Sequence, residues 1–91
     1  MKISKGRIVE YTISGGDAAV IADQRNGTQA MGNPVQEGDT FPAIVVQVFN
    51  KDAEDPPVNL KVFLDGQDDY WATSRLQGSN PGQWSWFEKI S

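Results

Sequence analysis

The chain has 91 residues, with eight basic and twelve acidic side chains for a formal charge of −4; it holds three tryptophans but no histidine and no cysteine. That balance repels nucleic-acid phosphates and anionic lipid. The missing residue types remove the usual neutral-pH acid–base group, the soft metal ligands and any disulfide scaffold.

One domain, residues 1–91, is expected. A chain of this size buries only about 60–65% of its extended surface, so self-association is one way to widen a modest stability margin. Lys2, Lys5 and Arg7 read as a solvated terminus, while Arg25, Lys51, Lys61, Arg75 and Lys89 are scattered, so no basic patch is expected. The opening Met-Lys-Ile-Ser-Lys-Gly-Arg has charge without a following apolar run, unlike a secretion signal. The longest apolar stretch, Phe41 to Val46, is too short to cross a bilayer. A soluble intracellular protein is the expectation.

In chain order, residues 7–13 alternate as a strand with Val9, Tyr11 and Ile13 on one face. Ser14-Gly-Gly-Asp17 then predicts a helix start, with Asp17 at the return position of a capping box. Ala18, Ile21, Ala22 and Arg25 follow at helical spacing, and Asn26-Gly27 predicts the stop. Turn formers fill residues 28–39. The run Phe41–Asn50 is apolar on both faces and predicts the central strand, with Pro42 at its beginning or unpaired side. After the charged loop 51–57, Val58, Leu60, Val62 and Leu64 share one face of a third strand, and Asn59, Lys61 and Phe63 the other. Asp65-Gly66-Gln67-Asp68 predicts a hairpin into a fourth strand, Asp69–Arg75. Asn80-Pro81-Gly82-Gln83 suits a type II turn before a last strand over 83–90.

These elements predict a mainly β fold: a small five-stranded, bent antiparallel sheet with one short helix inserted after the first strand. Curling into an SH3-like barrel is the preferred closure, since it protects the edges. The competing arrangement is a flatter α+β sheet carrying the helix on one face.

Three groups of residues invite a chemical reading. Asp65, Asp68 and Asp69 stand within five positions, as an oxygen-rich cation loop would need, but the spacing is not that of an EF-hand and a hairpin turn itself calls for Asp and Gly. Trp84 and Trp86 share a side of the last strand and, with Trp71 and Tyr70, build either a barrel core or an outward stacking surface for a protein partner, sugar or base. Serines lack a histidine partner, and carboxylates such as Glu10 and Glu88 have no evident deep cleft. Gly15-Gly16 opens a helix whose amides suit an anion, yet Asp17 already brings negative charge there. No catalytic residue, metal or cofactor is therefore expected. Arg75 and Asn59, on neighbouring strands, complete the candidate binding set of Trp84, Trp86, Trp71 and Tyr70.

The blocks Gly6–Tyr11, Gly32–Asp39 leading into Phe41–Val45, Val58–Gly66 and Asp69–Ser74 resemble a group of small uncharacterised proteins of bacteriophages and prophages. The tail Asn80-Pro-Gly-Gln-Trp-Ser-Trp86 is similar to that group's Pro-Gly-Thr-Trp-x-Trp ending, with Gln83 in place of threonine and Phe87 where proline is usual. The resemblance implies viral origin and action in the host cytoplasm, or association with the virion, and implies no mechanism. The resulting expectation is a non-enzymatic accessory protein that binds a host or viral protein, or a small ligand, through its aromatic strand surface, with homo-oligomerisation open and no nucleic-acid or membrane partner. Two alternatives stand beside it: a virion or assembly component acting through its oligomer interface, and a sponge that sequesters a small nucleotide signal.

Overall fold

In the computed structural model, which describes residues 2–87, five strands and one helix follow in the order β1 (Ile8–Thr12), α1 (Gly15–Thr28), β2 (Thr40–Val48), β3 (Val58–Phe63), β4 (Asp69–Arg75) and β5 (Trp84–Ser85). The strands form one sheet in the order β4-β3-β2-β1-β5, and every neighbouring pair is antiparallel. The strand read as central, β2, is the middle one. Pro42 is accommodated because the β2–β3 ladder begins one residue later, at Ala43 opposite Val62.

Alternation decides the two faces. Val9 lies opposite Ala43, Ala43 opposite Val62, and Val62 opposite Tyr70. Those four are buried, as are Tyr11, Val45, Leu60, Ala72 and Trp84 on the same inner face. Ile21 of α1 closes over them, and Ile3, Ile13 and Leu64 seal the margins. The other face runs through Trp71, Lys61, Ile44 and Ile8, one residue per strand across four strands.

The sheet is open, which corrects the SH3-like barrel expectation. The chain after β4 reaches β5 only through an isolated parallel bridge between Gln77 and Trp84. Two hydrogen bonds hold it, Gly78 N–H to Trp84 O at 2.8 Å and Trp84 N–H to Leu76 O at 3.2 Å. With β5 only two residues long, no ladder grows from that bridge. The helix packs on the inner face through Ile21 and the partly buried Ala18. The predicted strand 83–90 is thus shorter within the described residues, and Glu88, Lys89 and Ile90 lie outside them.

The helix also runs past its predicted stop. Gly27 lies inside α1, and the left-handed residue is Gln29 (φ 61°), whose N–H donates to Arg25 O at 2.8 Å. Thr28 Oγ1 donates back to Gln24 O at 3.0 Å, tightening the last turn. Arg25 is fixed from outside by Asp68, so the turn that Asn26-Gly27 was expected to end is tied down before it can unwind.

Two register shifts shape the sheet, one between Val45 and Gln47 on β2 and one on β4 opposite Val58–Leu60. In β4, Leu60 pairs with Ala72 but Val58 pairs with Arg75, so one extra residue enters the strand. Ser74 takes the left-handed conformation (φ 55°), and its N–H donates to Asn59 Oδ1 at 2.8 Å. Without the bulge, strict alternation from Tyr70 and Ala72 would aim Arg75 outward. With it, Arg75 turns to the inner face.

Candidate functional site

The consequence of that turn is a buried polar node. Asp17, 2% exposed, receives four donors on its two oxygens. Tyr11 Oη (2.5 Å) and Ser14 N–H (3.0 Å) donate to Oδ2, while Tyr70 Oη (2.7 Å) and Arg75 Nη2 (3.0 Å) donate to Oδ1. A carboxylate offers about four lone-pair positions, and all are used here. Ser14 Oγ in turn accepts from Asp17 N–H at 3.0 Å, which completes the capping box. The guanidinium of Arg75 lies 5.8 Å from the centre of the Tyr11 ring.

The electrostatics follow from burial and these bonds. Burial alone would raise the Asp17 pKa, but donation from Tyr11, Tyr70 and Ser14 outweighs it and holds the carboxyl below its ordinary range. Burial, then the bond to the carboxylate, pushes Tyr70 up to about 12 and Tyr11 higher still. The node therefore stays a carboxylate with two neutral phenols at neutral pH. It joins α1 to β1 and β4; Arg75, whose Nε has no hydrogen-bond partner among the described residues, is the member that stays partly exposed.

The residues expected to form one binding surface are divided between locations. Tyr70 is buried in the node and Arg75 is its partly exposed cation. Asn59 is committed to the bulge. Trp84 is 1% exposed at the centre of the core, and its Nε1 meets no hydrogen-bond acceptor among the described residues. It supplies shape rather than recognition. Trp86 is half-buried, stands edge-on to Trp84 at 5.4 Å, and carries the Arg7 guanidinium over its ring at 5.6 Å. Trp71, on the outer face of β4, is 59% exposed. Of the three indoles, it offers the most open surface.

The acidic turn has a structural occupation as well. Arg25 Nε and Nη2 reach Asp68 Oδ2 and Oδ1 at 2.9 and 3.0 Å, a bidentate pair that lowers the Asp68 pKa. Asp65 accepts from Asn33 Nδ2 at 2.7 Å and Asp69 from Lys61 Nζ at 3.2 Å. Among the described residues no three metal-ligating side chains converge. Gly32 and Gly66 cross in close contact, so a Cβ on Gly66 would fall 2.7 Å from the Gly32 Cα. At the opposite end of the chain's loop, Gly15 N–H donates to Glu37 Oε2 at 3.1 Å, placing a second carboxylate beside Asp17 at the helix start.

Sequence reasoning found the capping role of Asp17 but missed its tertiary one. The available signal was the short Asp in place of the usual Glu, together with two tyrosines on strands that should face the helix. Nothing in the sequence announces the bulge that brings Arg75 in.

No family model, curated protein or solved structure matches the chain. No helix among the described residues is long and apolar enough to cross a membrane.

Proposed function

We propose that this protein is a non-enzymatic accessory factor that binds a protein partner through the outer face of its sheet, in the host cytoplasm of a bacteriophage infection. The phage setting rests on the sequence blocks described above. The binding face rests on Trp71. An indole left 59% exposed on a seven-residue strand puts a large apolar surface on the outer face, where serine or threonine would expose less apolar area.

Its surroundings fit the anatomy of an interaction surface. Across the sheet from it run Lys61, Ile44 and the half-exposed Ile8, while Phe63 and Val46 add exposed apolar area nearby. Lys61 and Asp69 form an exposed ion pair that supplies opposite charges beside the indole. An aromatic anchor amid aliphatic contacts with charges at the rim is how protein interfaces concentrate their energy.

The test is affinity capture from a bacterial host lysate, followed by titration of the purified prey against Trp71→Ala and Trp71→Phe variants. A hot-spot indole predicts at least about tenfold weaker binding for the alanine variant, with unchanged melting temperature and partial rescue by phenylalanine. Equal affinity in wild type and Trp71→Ala rejects this face.

A further inference from the structure

The acidic chain carries eight basic residues, and the fold sorts those it describes into three sets. Arg25, Lys61 and Arg75 each sit within 3.2 Å of a carboxylate, on Asp68, Asp69 and Asp17. Arg7 lies over the Trp86 ring. Lys2, Lys5 and Lys51 form no ion pair with a described residue, and all three line one cavity of about 470 Å³, together with Ile3, Ser4, Gln47 and Val48. In sequence these lysines look like a solvated terminus and an isolated loop charge. The fold brings them together.

The convergence is held by backbone bonds and a buried anchor. Gly6 N–H donates to Val45 O at 2.8 Å, and Ile3 is 8% exposed, so the segment carrying Lys2 and Lys5 is fixed along β2. Lys51 sits in a turn closed by Ala53 N–H to Asn50 O at 2.8 Å, with Asn50 in the left-handed conformation at φ 50°. Phe49 N–H to Pro57 O at 3.0 Å fixes the base of that loop. Gln47 Oε1 accepts from Val48 N–H at 3.2 Å, leaving its amide nitrogen as a donor, and Ser4 adds a hydroxyl to the same lining.

No carboxylate is among the residues lining this cavity. Three like charges gathered around one concavity repel each other, and a compact anion of several charges relieves that repulsion. We propose that this cavity binds a polyphosphate group. Ammonium groups act as point charges that suit phosphate oxygens without the planar fork a single carboxylate prefers. Ile3 and Val48 supply the apolar part of the lining. No aromatic ring is in the lining to stack on a base, so the phosphates are the part recognised.

Two sources carry this chemistry, inorganic triphosphate and a nucleoside triphosphate, and the test separates them. The full-length protein is titrated with inorganic triphosphate, ATP and orthophosphate by calorimetry at low ionic strength. Amide and lysine NMR shifts are followed in parallel. Saturable binding of triphosphate is expected, with orthophosphate at least about tenfold weaker. Lys5→Gln and Lys51→Gln, both exposed and outside the core, should each weaken binding about fivefold. Lys61→Gln, the same charge change on the outer face, should leave it unchanged. ATP binding as tightly as triphosphate assigns the phosphates alone, and tighter ATP binding assigns a nucleotide. Absence of saturable triphosphate binding, or equal weakening by Lys61→Gln and Lys51→Gln, overturns the proposal.

Discussion

Replacing Asp17 with asparagine tests the central polar node most directly. Asparagine has one acceptor oxygen where aspartate has two, so it can serve two of the four donors. Its NH2 group then faces either Ser14 N–H and Tyr11 or Tyr70 and Arg75. The Tyr hydroxyls can rotate to accept; a backbone N–H or a guanidinium cannot. Each hydrogen bond to a charged group contributes about 1.5–3 kcal/mol, and Arg75, with a side chain 25% exposed, regains part of its loss from water. The expected destabilisation is about 3 kcal/mol at pH 7, a fall in melting temperature of roughly 12–24 °C for a chain this size. Urea denaturation followed by tryptophan fluorescence measures it.

The pH dependence gives that experiment a second arm. The folded state holds the Asp17 carboxyl below its ordinary range, so the unfolded chain takes up the proton more readily. Its contribution is complete above the unfolded pKa and is lost as pH falls from about 5 through the lower folded value. The difference between wild type and Asp17→Asn should therefore shrink in acid. A loss under 1 kcal/mol at pH 7, or a difference that stays constant down to pH 3, would refute the account of the node.

Other substitutions separate the roles of neighbouring residues. Trp84→Ala, in the core, should cost about 3–5 kcal/mol in chemical denaturation, while Trp71→Ala should change stability by less than about 0.5 kcal/mol. Asn59→Ala removes the acceptor for the Ser74 N–H and should cost about 0.5–1.5 kcal/mol by the same measurement, with the Ser74 amide exchanging faster with solvent. Gly66→Ala forces a methyl against the Gly32 backbone and should cost about 1–3 kcal/mol, with NMR shifts concentrated in residues 31–33.

The strands were legible because their alternation is strong. Val58, Leu60, Val62 and Leu64 on one side, and Asp69–Arg75 as the return strand, could be read directly, as could the Ser14–Asp17 capping box. Closure was not legible, because whether a sheet curls on itself or accepts a helix depends on how far its last strand pairs, and β5 stops after two residues. Arg75 and the three lysines around the cavity were misplaced for a different reason. A bulge changes the face of every residue after it without any necessary change in composition. Lys51 joins Lys2 and Lys5 only because β2 runs back beside the chain start, a contact across nearly half the sequence.

The extra residue in β4 also governs how copies of this molecule can meet. That strand is an outer margin of the sheet, and a regular seven-residue margin would template the backbone of another chain. The kink at Ser74 interrupts the row of amides and carbonyls such a guest would need. Stacking of molecules strand beside strand into fibres is thereby hindered at its most available starting point, and association is steered toward side-chain contacts between faces.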